Sequence, residues 1–265
     1  MIRYATVVVD GHTISYASEG AGEPLLLLHG VSADHQIWSA LFPYLAGHFR
    51  VIAPDLPGAG RSPSDTIDRT PDARVRQVAG LIAALKIGPC RVVGCGTGAS
   101  IALGLAARHP DRVRALVVLC GTPLHPLPAT RAVRFARAIG RAPGLLAVLL
   151  ALVPRGLLRR TLAGGFADPA RRAALRDLPT RHTLAAAVRD GHGWRGIVAQ
   201  LGSVRAPTLL VWGERDAWCP LEYAEQLRRL LPVVQLKTIS DAGHFLPLER
   251  PLELAEIIRA FLPTR

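Results

Sequence analysis

Short runs of consecutive apolar residues alternate along the chain with longer stretches in which apolar residues recur at helical spacing. The runs are typical of strands buried on both faces of a parallel sheet, and they cover residues 25–28, 50–54, 91–94, 115–119, 208–212 and 234–239. The helical spacing covers residues 71–85, 99–108 and 251–261. This alternation predicts an α/β fold with a mostly parallel, doubly wound sheet.

Residues 122–202 interrupt the alternation. This segment is rich in alanine, leucine and arginine, contains several prolines and glycines, and has no run typical of a strand. We predict that residues 1–121 and 203–265 form the core and that residues 122–202 form a helical cap. The most apolar stretch of the cap, residues 145–153, has about half of the roughly 20 residues that a membrane-spanning helix needs. No stable membrane insertion is therefore expected.

The positive charge of the chain is concentrated in one region. The formal net charge is +12, and residues 122–205 contain fourteen arginines against three aspartates. A uniformly basic surface would suggest nucleic acid, whereas a local basic segment suggests an anionic substrate group or an acidic partner such as an acyl-carrier protein. We expect no nucleic-acid binding. A solvated helical surface in an arginine-rich protein is the alternative, since the chain has only two lysines.

The four cysteines, at positions 90, 95, 120 and 219, are scattered, with no Cys-x-x-Cys pair and no histidine at metal-ligand spacing. This pattern argues against a zinc site and favours a reducing compartment. The N-terminal residues lack the basic start and apolar core of a signal peptide. We expect a cytoplasmic protein that holds no metal.

Five motifs follow one another in a fixed order. They are Leu28-His29-Gly30, residues 55–62 (Asp-Leu-Pro-Gly-Ala-Gly-Arg-Ser), residues 94–98 (Gly-Cys-Gly-Thr-Gly), residues 213–216 (Gly-Glu-Arg-Asp) and Gly243-His244. In this order and spacing, from about residue 25 to residue 261, the chain resembles the α/β-hydrolase superfamily. The resemblance implies the α/β-hydrolase fold and a site built from a nucleophile, a histidine and an acid.

The family places its nucleophile on a sharp turn between a strand and a helix, in the pattern Gly-x-nucleophile-x-Gly. The resemblance assigns Gly96 to that position. Glycine has no side chain and cannot form an acyl-enzyme. A serine replaced on purpose to trap a complex would also explain Gly96, although alanine is the more natural choice.

Three neighbouring side chains are candidates to replace the missing nucleophile. Cys95 is chemically the best of them, but it lies one position early, where the turn usually points a side chain into the core. Thr97 lies one position late, and Ser100 lies a turn into the helix. Residues 94–99 also fit the dinucleotide fingerprint Gly-x-Gly-x-x-Ala. The next strand ends without the acidic residue that would bind the ribose, so no cofactor is expected.

The resemblance implies roles for six residues outside the nucleophile position. Asp216 would be the acid and His244 the base, with Asp216 holding the imidazole in one tautomer. The backbone N–H groups of Val31 and Thr97 would bind an oxyanion, which does not depend on a serine at position 96. His29 and Gly30 are expected to be structural.

The substrate is expected to be small and mostly apolar, because the predicted cap is rich in leucine. The arginines of the predicted cap suggest a carboxylate or phosphate on that substrate. Trp218, Trp194 and Arg195 are the candidate contacts.

An Asp–His pair beside an oxyanion site, without a nucleophile, suits proton transfer without acyl transfer. We predict such general acid/base catalysis, in a lyase, cyclase, dehydratase or isomerase step. Two alternatives stay open: hydrolysis of an ester or thioester by histidine-activated water, and a catalytically inactive binding role. Epoxide hydrolases and haloalkane dehalogenases need an aspartate at the nucleophile position of the strand-to-helix turn, here called the elbow, where this chain has Gly96.

Overall fold

The computed structural model describes residues 1–30, 33–62, 68–124, 165–167 and 193–263. Eight strands form one sheet in the order β1-β2-β4-β3-β5-β6-β7-β8. Their bounds are β1 Arg3–Val9, β2 His12–Glu19, β3 Pro24–Leu28, β4 Arg50–Pro54, β5 Cys90–Cys95, β6 Val113–Leu119, β7 Thr208–Gly213 and β8 Val234–Ile239. Strand β2 pairs antiparallel with β1 and β4, and all other neighbours are parallel.

All six strands that the apolar runs predict are present, with ends within two residues of the prediction. Five of the runs are apolar because they form β3 to β7, which lie inside the sheet with helices packed against it. The sixth forms β8 at the edge of the sheet. Leu25 to Leu28, for example, are 0% exposed. The prediction of a mostly parallel α/β sheet is confirmed.

The hairpin of β1 and β2 was not predicted from the sequence. Its turn, Asp10-Gly11, has positive φ angles of 49° and 78°, and Asp-Gly is favoured where a two-residue hairpin turn needs that conformation. The turn was therefore the available signal. Strand β1 itself contains three consecutive valines, although it lies at the edge of the sheet and most of its side chains are exposed.

Seven α-helices lie in the described parts of the chain: α1 Phe42–Leu45, α2 Pro71–Leu85, α3 Thr97–Arg108, α4 Arg195–Val198, α5 Leu221–Arg228, α6 Leu246–Glu249 and α7 Pro251–Phe261. Helix α2 begins where the side chain of Thr70 accepts the N–H of Ala73. Helix α3 packs with α2 and α4, whereas α7 packs with α1 and α6. The three predicted helices correspond to α2, α3 and α7.

The carboxyl ends of β3 and β5 lie side by side at the middle of the sheet. The chain leaves β3 to form β4 on one side and leaves β5 to form β6 on the other. Such a switch point opens a crevice in which open α/β sheets bind their ligands. The loop that begins at Gly30 and the turn at Gly96 border this crevice.

The predicted cap falls mainly on residues for which no placement is described. Of the chain between β6 and β7, the structure describes residues 120–124, 165–167 and 193–207. Within the described residues, no helix is long and apolar enough to cross a membrane.

Candidate active site

Gly96 forms the turn between β5 and α3. Its φ of 56° and ψ of −120° are strained for any residue with a side chain. The flanking positions must also be small: a Cβ on Gly94 would collide with the carbonyl of Gly98, and one on Gly98 with the carbonyl of Leu28. The sequence Gly-x-Gly-x-Gly therefore builds a tight turn whose tip is Gly96.

His244 lies directly opposite this tip. A Cβ atom on Gly96 would be 3.4 Å from Nε2 of His244 and 3.8 Å from Cα of Gly30, which are ordinary van der Waals contacts. The space beside Gly96 is thus large enough for a side-chain carbon. It is bordered by an imidazole nitrogen.

Asp216 holds the other ring nitrogen of His244. Its Oδ2 is 2.9 Å from Nδ1 of His244, and its Oδ1 accepts the N–H groups of Trp218 and Cys219, both at 2.8 Å. The carboxylate is buried. Because an ionised carboxylate only accepts hydrogen bonds, Nδ1 carries the proton and Nε2 presents a lone pair toward Gly96. A pair with this geometry can act as a general base.

The loops that carry Asp216 and His244 are packed together through their backbones. A Cβ on Gly213, at the end of β7, would collide with the carbonyl of Gly243, and the N–H of Arg215 donates to the carbonyl of Ala242 at 2.9 Å. Gly213 therefore lets the two loops approach closely enough for their side chains to pair.

The elbow also supplies a backbone donor. Thr97 is the first residue of α3, where N–H groups have no acceptor within the helix. Gly30 borders it, since a Cβ there would be 3.5 Å from the nitrogen of Thr97. The second predicted donor, Val31, is outside the described residues.

The alternative nucleophiles are poorly placed. Cys95 is 2% exposed, and burial, together with the charge of Asp216, raises the pKa of its thiol to about 12. Little thiolate would form at neutral pH. Ser100 is fully buried in α3, and its Oγ has no hydrogen-bond partner within the described structure.

Aromatic rings surround His244. The ring of Trp218 lies 5.1 Å from the imidazole and that of Phe245 lies 5.3 Å from it. Phe166, from the segment between β6 and β7, stacks on Phe245 at 4.6 Å. Of the three predicted substrate contacts, the structure thus brings Trp218 to the Asp–His pair.

Trp194 and Arg195 lie at the start of α4, with Trp194 as the N-cap and Arg195 as the first helical residue. Ile197 of α4 packs against Gly104 on α3. Gly104 is seven residues after Thr97, so at 1.5 Å per residue it is about 10 Å along the helix from the elbow. Trp194 is buried and Arg195 exposed. A contact of these two residues with the substrate stays a prediction.

A buried network braces the loop after β3. Nε2 of His29 accepts the N–H of Leu56 at 2.9 Å, while its Nδ1 donates to the carbonyl of Gly30 at 2.8 Å. Burial lowers the pKa of His29, in keeping with a neutral ring. Asp55 accepts the ring Nδ1–H of His35 at 2.7 Å and the N–H of Arg61 at 2.8 Å. His35 is not among the residues predicted from the sequence.

Asp34, His35 and Asp55 are the three residues in the described structure that could form a cation site, with ligand atoms within 4.8 Å of one another. Ligand atoms of all three side chains already take part in hydrogen bonds. Oδ1 of Asp34 accepts the N–H of Gln36, and Nδ1 of His35 donates to Oδ1 of Asp55. The cluster acts as a loop brace.

The chain is similar in sequence to known proteins. The alpha/beta hydrolase family model matches residues 25–257. Pimeloyl-(acyl-carrier protein) methyl ester esterase of Aromatoleum aromaticum is 33% identical over 253 residues, which cover 88% of this chain and 96% of that protein. The 2-hydroxymuconate semialdehyde hydrolase of Pseudomonas sp. is 29% identical over 97% of this chain and 92% of that enzyme.

A solved structure shows the same architecture. Cfl2 of Burkholderia cenocepacia superposes with a TM-score of 0.84 at 27% identity, covering 98% of this chain and 95% of the other. The fold that the five motifs imply is therefore confirmed. With a family model that matches most of its length and an eight-stranded sheet of the expected kind, the chain belongs to the alpha/beta hydrolase family.

Proposed function

We propose that this protein hydrolyses an ester or thioester by direct attack of a water molecule that His244 activates. The observation that carries the proposal is the space beside Gly96, which faces Nε2 of His244 across 3.4 Å from the Cβ position. A water oxygen in that space has a general base within reach. The similarity to proteins named as an esterase and a hydrolase favours this reaction over a lyase or cyclase step.

The chemical step follows from the groups present. Nε2 of His244 takes a proton from the water, whose oxygen attacks the substrate carbonyl. The resulting oxyanion accepts the N–H of Thr97, and Val31 is proposed as the second donor. The imidazolium then gives its proton to the departing alkoxide or thiolate, which leaves a carboxylic acid and regenerates neutral His244. Asp216 stabilises the imidazolium between these steps.

The expected rate enhancements are large enough for catalysis without a nucleophilic side chain. General base catalysis contributes about 10² to 10⁴-fold, and one oxyanion donor about 10² to 10³-fold. In the proposed mechanism both act on the same carbonyl, since His244 borders the space beside Gly96 and Thr97 is the next residue in the chain. We therefore expect a slow but real hydrolase.

The aromatic rings beside His244 suit an apolar acyl chain. Trp218, Phe245 and Phe166 form one connected cluster at the site. We propose a small acyl group as the substrate, delivered free or on an acidic acyl-carrier protein. The fourteen arginines of residues 122–205 would attract such a carrier, and residues 122–202 are proposed as the cap that it meets. The relative from Aromatoleum aromaticum is named for a substrate of this class.

The four cysteines of the chain are all free thiols. Free thiols persist in a reducing compartment. We propose a cytoplasmic location, where acyl thioesters would be available.

The test compares the wild-type protein with His244→Gln on p-nitrophenyl butyrate and on a pimeloyl methyl ester. His48→Gln, at an exposed site, is the matched control. We expect the wild-type and His48→Gln proteins to release acid that carries one ¹⁸O atom from labelled water, and His244→Gln to release none above background. Equal rates for all three proteins would contradict the proposal. A product without ¹⁸O would also contradict the proposal and would indicate a non-hydrolytic reaction.

A further inference from the structure

Glu249 is a buried carboxylate that the proposed reaction does not use. It ends helix α6 and is 2% exposed. Its Oε1 accepts the N–H of Phe245 at 3.1 Å, and its Oε2 accepts the N–H groups of Gly243 at 3.1 Å and of Ala167 at 2.9 Å. One carboxylate therefore binds the backbone on both sides of His244, and a residue of the segment between β6 and β7 as well.

That segment, residues 165–167, also contacts His244 itself. The N–H of His244 donates to the carbonyl of Gly165 at 2.7 Å. A Cβ on Gly243 would collide with the same carbonyl, and one on Gly165 would lie 2.7 Å from the ring of Phe245. Two glycines thus allow the segment to pack directly against residues 243–245, here called the histidine loop.

We propose that Glu249 is the positioning residue for His244 and that it fastens residues 165–167 to the histidine loop. Hydrogen bonds to an ionised acceptor are about twice as strong as neutral ones, and a buried carboxylate is tolerated only when it is paired. The N–H groups of residues 243–245 lie in a loop, with no strand or helix partner of their own. Glu249 and Gly165 supply their acceptors, so the direction of the imidazole depends on both.

These contacts couple residues 165–167 to His244. If residues 165–167 move away, the N–H of His244 loses its acceptor and Glu249 loses the N–H of Ala167 at the same time. The inference uses the proposed function only in taking His244 as the base. The contacts themselves do not depend on the reaction.

Glu249→Gln is the sharpest variant. The amide has the volume of the carboxylate, but it replaces one acceptor oxygen with an NH₂ donor, which would face an N–H group. At least one of the three backbone donors then loses its partner. Glu253→Gln, an exposed glutamate in the first turn of α7, is the matched control. Glu249→Asp retains the charge but shortens the reach, and serves as the second variant if Glu249→Gln does not fold.

The readout is NMR of the full-length protein, which needs no activity. In Glu249→Gln we expect the amides of Ala167, Gly243, His244 and Phe245 to exchange about tenfold faster or more. The Nδ1–H resonance of His244 should also shift or broaden. The control should match the wild-type protein.

Two results would overturn the proposal. An unchanged Nδ1–H resonance of His244, with faster exchange spread evenly over core amides such as Val92, would show a purely structural role for Glu249. Faster exchange at Gly243 and Phe245 without any change at His244 and Ala167 would exclude the coupling to the inserted segment.

A kinetic arm in the Gly96→Ser background adds a second readout. There, Glu249→Gln should lower kcat about a hundredfold while KM changes little, as expected of a misdirected base. Absence of hydrolysis in every variant, together with the expected NMR changes, would reject the proposed function and leave the positioning role intact.

Discussion

Nε2 of His244 lies 3.4 Å from the position that a Cβ atom on Gly96 would occupy. An oxygen one bond beyond that carbon, or a water in the same space, can reach hydrogen-bond distance of the imidazole. The opposite nitrogen of the ring is held by Asp216 at 2.9 Å. Nε2 of His244 is therefore positioned to accept a hydrogen bond from an oxygen atom beside residue 96. Glycine at this position supplies no such oxygen.

Filling that space should stop the reaction. We expect Gly96→Ala to abolish hydrolysis by the wild-type mechanism, because the methyl group takes the place of the attacking water. The positive φ should also lower the free energy of unfolding by about 1–3 kcal/mol. Ester hydrolysis and urea unfolding measure the two effects.

Gly11→Ala is the control for the backbone strain. Gly11 has a φ of 78° in the β1–β2 turn, and a Cβ there would meet nothing within 4 Å. This variant should lose stability but keep its activity. If Gly96→Ala hydrolyses the ester as fast as the wild-type protein, the space beside Gly96 does not hold the attacking water.

Asp216→Asn should lower kcat by about 10⁴-fold, as the same change does in serine protease triads. The carbonyl of asparagine can still accept the N–H groups of Trp218 and Cys219, but its NH₂ would then face His244. The ring would shift its proton to Nε2 and could no longer act as a base. Steady-state hydrolysis measures the loss.

Asp241→Asn is the matched control for that substitution. Asp241 is exposed, pairs with Arg215 and has a φ of 53°, which asparagine tolerates. Its activity should equal that of the wild-type protein. A similar loss in both variants would mean that charge near the site matters, and not the tautomer of His244.

Cys95→Ala should leave hydrolysis unchanged. The thiol is buried and its pKa is raised to about 12, so it supplies almost no thiolate. For the same reason, iodoacetamide should not modify Cys95 in the folded protein, as mass spectrometry of the peptide would show. Loss of activity in Cys95→Ala, with an unchanged melting temperature, would instead identify a cysteine nucleophile.

The folded protein should lose stability as the pH falls below 6.5. Burial lowers the pKa of His29 from that ordinary value, so the unfolded chain takes up the proton more readily than the folded chain. Stability is therefore full above 6.5 and declines as the pH drops toward the lowered pKa. Protonation would also break the bond from the N–H of Leu56 to Nε2.

Urea unfolding at about pH 7.5 and about pH 5 tests this dependence. His29→Asn lacks the titrating ring, so its deficit relative to the wild-type protein should narrow at the lower pH. A constant deficit would show that His29 does not titrate in this range.

The sequence predicted those features of the fold that leave a recognisable pattern in neighbouring residues. The buried strands were visible because runs such as Leu25 to Leu28 are apolar on both faces of the sheet. The turn at Gly96 was assigned through the family motif, and the structure shows that close backbone contacts require glycine at positions 94 and 98. Asp216 and His244 could be proposed only through the family motifs, since each is a single residue in a loop.

The contacts that position His244 were not predictable in this way. Glu249 binds Ala167, which is 82 residues away in the chain, and neither residue has a local pattern that marks it. The position of Trp194 and Arg195 at the start of α4 was not predictable either, because it depends on the packing of Ile197 on Gly104, which appears only in three dimensions.

The most direct test of the account is to restore a side chain at position 96 and ask whether the surrounding groups activate it. Gly96→Ser, treated with a fluorophosphonate, should gain one covalent adduct on the peptide that contains the introduced serine. The wild-type protein and the double variant Gly96→Ser/His244→Gln should gain none. A folded Gly96→Ser protein that stays unlabelled would contradict the claim that Asp216, His244 and Thr97 form a hydrolase site around Gly96.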